Sequence, residues 1–187
     1  MLPVFPLPTV VLFPGVLLPL HIFEPRYREM VTDALDSDRR IAMALLQPGW
    51  QADYEGRPPI DVVGCAGRIV EYEQLPDGRY TIVLAGFTRF RVTSEDQSRP
   101  YRLARVDALP DAGGADDQFA LRTSRERLVE LLSVVGIELG QAPADDAEVV
   151  DTLAQYLNMN SERRQQLLEM DGPLRRARAL IDMLSAQ

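Results

Sequence analysis

The sequence predicts an α+β protein, in which a small barrel of short strands is followed by a bundle of helices. Up to Leu109, short apolar runs alternate with Gly and Pro corners, a pattern typical of a closed or nearly closed barrel. The composition then shifts sharply over Pro110–Asp117, and beyond it apolar residues recur at the three- and four-residue steps of helices. We therefore predict a β-rich domain over residues 1–112 and a helical bundle over residues 113–187.

The opening segment is strongly apolar and is interrupted by proline at positions 3, 6, 8, 14 and 19. Proline fixes φ and has no N–H to donate, so it excludes a continuous helix and confines strands to edges, ends or bends. The segment predicts a pair of short strands, Val4–Leu7 and Val16–Leu20, joined by a turn at Phe13–Gly15. A helix is expected to begin at Glu24–Pro25, because proline suits the first helical turn.

Further strands are predicted where apolar and β-branched residues cluster. Gly64 and Gly67 indicate a bulge or a barrel corner, and the run Leu75–Arg79 (LPDGR) is typical of a hairpin turn. A long Gly- and Pro-rich connection, residues 47–59, contains the only tryptophan, Trp50, and loops of this length are often functional. The predicted strands are Arg40–Leu46, Ile60–Glu73, Tyr80–Ala85, Phe87–Thr93 and Arg102–Leu109.

Beyond Asp117 each apolar segment carries its apolar residues on one stripe, as helices packed on one face do. Asp145 and Asp146 precede one of these segments and are expected to cap it. The predicted helices are Phe119–Val135, Asp146–Leu157, Ser161–Met170 and a last helix beginning near Pro173.

The composition excludes several kinds of chemistry. The sequence contains no lysine, so it has neither a Walker phosphate-binding loop nor a Ser-Lys dyad, and no side chain can form a Schiff base. His21 is the only histidine, and a zinc cluster or a Ser-His-Asp triad would have to be built around that one ring. We therefore expect no enzymatic activity, no metal site and no cofactor. The formal charge of −8 opposes a general affinity for nucleic-acid backbones.

The cysteine count and the amino-terminal segment favour the cytoplasm. Cys65 is the only cysteine, so no intramolecular disulfide can form, as is typical of a reducing compartment. The first basic residue is Arg26, whereas a signal peptide begins with a basic region. Prolines at the density found here would leave backbone groups unsatisfied in lipid, so we expect no membrane span.

Several motifs together resemble one known family. They are FPLP from Phe5, VLFPGVLLPLHIFEPRY ending at Tyr27, VGCAGRIV from Val63, LPDGRY from Leu75 and GFTRFRV from Gly86. The sequence resembles the amino-terminal, substrate-binding domain of the Lon protease family, in its stand-alone bacterial form. The run VDTLAQYL from Val150 is similar to the helical part that follows the barrel in that family.

The resemblance implies a PUA-like β-pseudobarrel followed by a small helical bundle. It also implies recognition of unfolded or damaged polypeptides. The ATPase and Ser-Lys protease modules of the family have no counterpart in these residues. ATP-dependent peptidase activity would therefore rest on the family label alone.

The opening segment has more large apolar residues than two short strands can bury on one face. We expect some of them to line a peptide-binding groove together with aromatic residues of the long connection. The alternative is that these residues fill the barrel and its contact with the helix. Separately, an unpaired barrel edge could accept an extended peptide as an added strand. The candidate peptide-binding residues are Phe13, Leu17, Leu18, Phe23, Trp50 and Tyr54.

RNA binding is the second hypothesis, since PUA-like folds often bind RNA. Strand alternation would place Arg89 and Arg91 on the same face, where they could contact phosphates. The acidic total and the scarcity of stacking aromatics oppose this hypothesis.

The sequence thus predicts a non-catalytic polypeptide-binding protein that acts as an adaptor or holder for unfolded or damaged proteins. The expected partners are unfolded or apolar polypeptide segments and a full-length Lon protease.

Overall fold

Six strands form one mixed sheet in the computed structural model, which describes residues 1–111, 115–134 and 145–186. The chain has two compact units, Met1–Leu109 and Pro110–Gln187. The predicted domain boundary, between residues 112 and 113, lies outside the described residues. The first unit contains one helix, α1 (Pro25–Leu35), and the strands β1 (Leu2–Leu7), β2 (Leu17–Ile22), β3 (Arg40–Leu45), β4 (Val63–Gln74), β5 (Tyr80–Asp96) and β6 (Arg102–Leu109).

The sheet closes on itself, which confirms the predicted α+β class with a small barrel. The strand order is β2-β5-β4-β3-β1-β6, and β5 also pairs with β6. A ring is therefore formed by β5, β4, β3, β1 and β6. Strand β2 is not part of the ring and pairs with the first half of β5, along the edge that β6 occupies in the second half. Only β1 and β3 run parallel, and the other pairs are antiparallel.

Strand β5 is continuous where the sequence predicted two strands separated at Gly86. Its first part, Tyr80–Ala85, pairs with β2, and its second part, Arg89–Asp96, pairs with β6. Against β4 the register shifts at Phe87, because Gly67 pairs with Gly86 and Ala66 with Thr88. One extra residue in a strand forms a β-bulge, which bends the strand and lets it change partners.

The predicted pairing of the first two strands is wrong. Strand β1 lies between β3 and β6, whereas β2 pairs with β5. The turn at Phe13–Gly15 docks on β5 instead of closing a hairpin, since the Gly15 N–H donates to the Gly86 oxygen at 2.9 Å and the Gly86 N–H donates to the Val16 oxygen at 2.9 Å. Backbone contacts far apart in sequence thus determine the position of β2.

Strand β1 contains two prolines although it has a neighbour on each side. The two neighbours pair with different parts of it: β6 with Leu2–Val4 and β3 with Val4–Leu7. Pro3 and Pro6 therefore each lie where β1 has a partner on one side only. The Leu46 N–H donates to the Leu7 oxygen, so Leu7 faces β3, and by alternation Pro3 faces the side of β3 and Pro6 the side of β6. Neither proline nitrogen therefore faces its partner strand, and no ladder bond is lost.

Small residues fill much of the barrel interior. The buried cluster includes four alanines and one large ring, Phe90, and Trp50 of the long connection packs against it. Helix α1 covers another part of the barrel, where the rings of Phe5 and Tyr27 lie 4.6 Å apart between centroids. Buried members of the inner cluster are Leu2, Val4, Ala42, Ala44, Leu46, Ile60, Ala66, Phe90 and Ala104.

The second unit is helical, as predicted. Asp145 caps α3, because its Oδ1 accepts hydrogen bonds from the backbone N–H groups of Ala147 and Glu148, which confirms the predicted cap. The predicted end of the preceding helix at Val135 lies outside the described residues. The helices are α2 (Ala115–Val134), α3 (Asp146–Tyr156), α4 (Ser161–Glu169) and α5 (Pro173–Ser185).

A buried ion network holds α3 and α5 together. The Arg176 side chain on α5 is fully buried, and its Nε lies 2.7 Å from Oδ1 of Asp151 on α3, whose side chain is 2% exposed. The Nη2 of Arg176 also lies 2.9 Å from Oδ2 of Asp111, in the segment that leads into this unit. Charges this deeply buried depend on each other, because an unpaired one would face a large desolvation cost.

Among the described helices, none combines the length and the apolar character that crossing a membrane requires.

Replacing Arg176 is expected to destabilise the helical unit, because the buried carboxylate of Asp151 would lose its ion pair. We expect Arg176→Met to lower the free energy of unfolding by roughly 3 kcal/mol or more, because Asp151 would stay buried without its partner. Adding Asp151→Asn should recover part of this loss. The neighbouring Arg175→Met, on an exposed side chain, is the control and should change stability by less than about 0.5 kcal/mol. Urea titration measures all variants, and equal losses for Arg175 and Arg176 would contradict the assignment.

Candidate functional site

The long connection between β3 and β4 is held firmly to the barrel by three arginines. Arg26 at the start of α1 donates to the Tyr54 carbonyl at 3.1 Å. Arg57 donates to the carbonyl oxygens of Asp96 and Arg99, at 3.1 and 2.9 Å. Arg102 donates to the Pro58 carbonyl at 2.7 Å, beside its ion pair with Glu95. Guanidinium donors thus satisfy carbonyl groups that the irregular backbone leaves unpaired.

The two aromatic residues of this connection, Trp50 and Tyr54, also help to attach it to the barrel. Trp50 packs against the inner barrel cluster, and its ring contacts that of Tyr54 edge to face, with centroids 5.4 Å apart. The Tyr54 hydroxyl donates to Glu24, which also pairs with Arg26. Both rings are half-buried. They contribute packing area to the barrel more than surface to a partner.

A small cavity lies between this connection, α1 and β6. Its volume of about 20 Å³ has room for one water-sized molecule and no more. Arg26, Arg57, Arg102, Tyr54 and Tyr101 are among the residues that line it. The cavity is therefore too small for a peptide side chain or a cofactor.

Two tyrosines in this region have strongly raised pKa values. Burial, together with the hydrogen bond from its hydroxyl to Asp33 Oδ2 at 2.6 Å, raises the pKa of Tyr101 to about 12. Burial raises the pKa of Tyr27 to about 12 as well. Both hydroxyls stay protonated at neutral pH, where neither can act as a base and that of Tyr101 donates to Asp33.

A more open surface is formed where β2 lies beside the first half of β5, which in turn lies beside the end of β4. Pro19, Val83 and Glu71 form one row across these strands, and His21, Thr81 and Glu73 form the next. Because side chains alternate between faces along a strand, all residues of a row point to the same side. We call this side the outer sheet face: Leu17, Pro19, His21, Thr81, Val83, Ala85, Arg68, Glu71 and Glu73.

The burial pattern confirms that this face is turned to solvent. Leu17, Pro19 and His21 are exposed, whereas the intervening Leu18 and Leu20 are half-buried. The same alternation continues into β5, where the residues facing the other way are buried in the core. Those core residues are Tyr80, Ile82 and Leu84.

The apolar stripe of β2 extends one step beyond the strand. Phe23 is 61% exposed and Leu17 is 55% exposed. The rings of His21 and Phe23 meet edge to face with centroids 6.2 Å apart, which places Phe23 on the His21 side of the sheet. Exposed apolar side chains that occur together in this way are typical of interaction surfaces.

A groove of about 460 Å³ crosses the outer sheet face. It has the size of a ligand-binding cleft, but it is open to solvent along its length. Such a shallow apolar trough suits a flexible chain better than a small molecule, which needs enclosure. Its lining includes Pro19, His21, Val83, Glu71 and Glu73.

Strand addition at the free edge of β2 is opposed by Pro19. The bond from the Gly86 N–H to the Val16 oxygen marks these two residues as a hydrogen-bonded pair, so the backbone of Pro19 faces away from β5. Proline has no N–H, so the edge lacks a donor at its centre. Binding here would use the side-chain face and not the strand edge.

The predicted peptide-binding residues fall into different environments. Leu17 and Phe23 lie at the surface, as proposed. Phe13 is fully buried, and Leu18 is half-buried on the inner face of the sheet. The prediction that these two residues line a groove is therefore wrong. Phe13 is buried because the turn that carries it docks its backbone against Gly86. Trp50 and Tyr54 pair with each other at the barrel.

The sequence interpretation missed the contribution of the central strand. None of His21, Glu71, Glu73 and Val83 was among the predicted peptide-binding residues. Strand alternation alone places Glu71 and Glu73 on one face, whereas the pairing of β2 with β5 was needed to bring His21 into the row of Glu73.

The structure opposes the phosphate-binding role of the two arginines. Arg89 is 3% exposed, so its guanidinium cannot reach a nucleic-acid backbone. Arg91 is exposed, but it lies directly across from Asp107 in the pairing of β5 with β6, and an acidic neighbour reduces its attraction for phosphate. Within the described ranges, no group of three or more Asp, Glu, His and Cys side chains is arranged to hold a metal ion.

A protein-family model matches residues 1–186, and its description is the substrate-binding domain of the ATP-dependent protease La (Lon). Among similar proteins, the Lon protease of Anaeromyxobacter dehalogenans is 26% identical over 193 residues, covering 98% of this chain and 23% of its own length. The Lon protease of Desulfovibrio desulfuricans is 29% identical over 184 residues, covering 94% of this chain and 21% of its own. The chain thus spans about a quarter of the length of the curated relatives it matches.

Two solved structures share the fold over nearly the whole chain. One is the N-terminal domain of a Lon protease from the Mycobacterium avium complex, with a TM-score of 0.72 and 18% identity, covering 98% of this chain and 97% of that one. The other is a Lon N-terminal domain protein from Xanthomonas campestris, with a TM-score of 0.68 and 25% identity, covering 97% of this chain and 96% of that one.

Removing the tryptophan should affect stability and not binding. We expect Trp50→Ala to lower the free energy of unfolding by roughly 2 kcal/mol, because the ring packs on the barrel cluster. Affinity for an unfolded polypeptide should stay unchanged under conditions where the variant is folded. Denaturant titration and fluorescence anisotropy with a labelled polypeptide measure the two effects. Normal stability with lost binding would instead place Trp50 in the binding surface.

Stability at high pH should depend on Tyr101. The unfolded chain loses the tyrosine proton near pH ~10, whereas the folded protein holds it up to about pH 12. The stabilisation is therefore complete below pH ~10 and is lost as the pH rises toward 12. In Tyr101→Phe, the free energy of unfolding should fall less steeply across this window than in the wild type. Parallel curves for the two proteins would contradict this role.

Proposed function

Because the chain belongs to the family of Lon substrate-binding domains, we propose that it binds unfolded or apolar polypeptide segments in the cytoplasm and acts without catalysis. The observation that carries this proposal is the outer sheet face, on which exposed Leu17 and Phe23 accompany an open groove. When a chain binds to such a surface, apolar area on both partners is removed from water, and this removal drives association.

The shape of the surface favours a partner without fixed structure. The groove is wide and shallow, and few backbone groups at its edge can impose a sequence register, because Pro19 interrupts them. Burying two apolar side chains contributes about 1.5–3 kcal/mol each at most, which yields weak and broadly selective binding. Weak and broad recognition suits a protein that must accept many different unfolded chains.

An adaptor or holder role follows from the same surface. The chain corresponds to about a quarter of the Lon relatives it matches, and that quarter is the part described as substrate-binding. A protein with this part can hold a polypeptide and present it to a full-length Lon protease. We propose such a protease as a partner beside the polypeptide itself.

The test replaces the exposed apolar residues of the outer sheet face. We expect Leu17→Ser with Phe23→Ser to weaken the binding of a fluorescently labelled, permanently unfolded polypeptide about tenfold, because apolar contact area is lost without loss of core. Fluorescence anisotropy measures the affinity.

The matched control is Phe119→Ser with Val134→Ser on α2, whose side chains are 77% and 84% exposed. This variant loses similar apolar area in the helical unit and should bind like the wild type. No saturable binding by the wild type would overturn the proposed function. Equal weakening in both variants would show that binding follows general surface hydrophobicity.

A further inference from the structure

The outer sheet face carries charge on one side only. Glu71 and Glu73 stand side by side in β4, both exposed, in the rows of Pro19 and His21. Neither carboxylate forms an ion pair or side-chain hydrogen bond with any residue in the part of the chain that the structure describes. Arg68 lies in another row, beside Ala85 and Leu17, at the opposite end of the face. The end near His21 therefore carries Pro19 and the uncharged ring of His21 on β2, and two carboxylates on β4.

The spacing of these two sides can be estimated from sheet geometry. Neighbouring strands lie about 4.8 Å apart, so β2 and β4 are separated by roughly 10 Å across β5. A chain in the polyproline II conformation, which is common in unfolded polypeptides, has three residues per turn and advances about 3.1 Å per residue. Residues three positions apart in such a chain therefore point to the same side and lie roughly 9 Å apart. A chain that crosses the strands therefore places residues three positions apart over β2 and over β4.

We propose that the outer sheet face prefers polypeptide segments in which a basic residue follows or precedes an apolar residue at a distance of about three positions. This inference rests on the proposed function and specifies the chemistry of the segment that is bound. The apolar side chain lies against Leu17, Pro19 and Val83, and the basic side chain reaches the carboxylates of Glu71 and Glu73.

The charge of the whole chain acts in the same direction. The formal net charge is −8, so acidic segments are repelled at long range and basic segments are attracted. Long-range attraction alone would not depend on two particular carboxylates. The local arrangement on β4 therefore makes a separate prediction, which a charge-matched variant can isolate.

The test uses three labelled peptides that share one Leu-Phe pair. They differ at two positions, three residues before and three residues after that pair, which are both Lys, both Ser or both Glu. With wild-type protein we expect the Lys peptide to bind about fivefold more tightly than the Ser peptide, and the Glu peptide to bind most weakly. In Glu71→Gln with Glu73→Gln, the preference for Lys over Ser should disappear while the Ser peptide binds as before. Raising the salt concentration should reduce the preference in the wild type.

The control is Glu126→Gln with Glu130→Gln on α2, which changes the net charge by the same amount in the helical unit. This variant should keep the preference for the Lys peptide. Equal loss of preference in both variants, or equal binding of all three peptides to the wild type, would overturn the inference while leaving the proposed function in place. Failure of the wild type to bind any of the peptides or the unfolded polypeptide would overturn both.

Discussion

The close approach of two backbone segments at Gly86 is the constraint on which the β-rich unit depends. A Cβ atom at this position would overlap the carbonyl oxygen of Phe13, so only glycine lets the opening turn dock on β5. The two backbone hydrogen bonds made there fix β2 against the first half of β5. The bulge at Phe87 immediately afterwards sends the second half of β5 to β6. One site thus positions the appended strand and closes the barrel.

Much of the fold could be predicted because its signals are local. The Leu75–Arg79 turn, with Gly78 at φ +81°, requires only neighbouring residues, as do Pro25 in the first turn of α1 and the Asp145 cap. The bounds of β6 were predicted to the residue, since a single alternating run between breakers defines them. Each of these elements is determined by interactions within a few residues.

The errors concern contacts between distant residues. Strands β1 and β2 are adjacent in sequence and rich in the same residues. No local sequence signal indicates that they pair with different strands. The burial of Phe13 follows from Gly86, more than seventy positions away in the chain. Trp50 looked like a surface aromatic in a loop, and only the barrel packing shows what its ring covers. The candidate site likewise depends on a cross-strand register that spacing alone does not reveal.

The two units stabilise themselves by different means. In the β-rich unit the inner barrel cluster is apolar, and arginines outside that cluster donate to carbonyl groups of the long connection. In the helical unit a guanidinium lies at the centre of the packing, paired with Asp151 and Asp111. Apolar packing tolerates changes in residue identity at similar volume, whereas a buried ion network tolerates few, because each partner depends on the others.

The free edge of β2 bears on whether copies of this chain would pair with one another. A sheet with an open edge and exposed apolar side chains would ordinarily associate with further copies of itself. Pro19 removes the donor that a second copy would need at the centre of that edge. Pairing at this edge is thus opposed for a second copy and for an unrelated strand alike. Any chain that meets the outer sheet face would have to contact its side chains and could not extend the sheet.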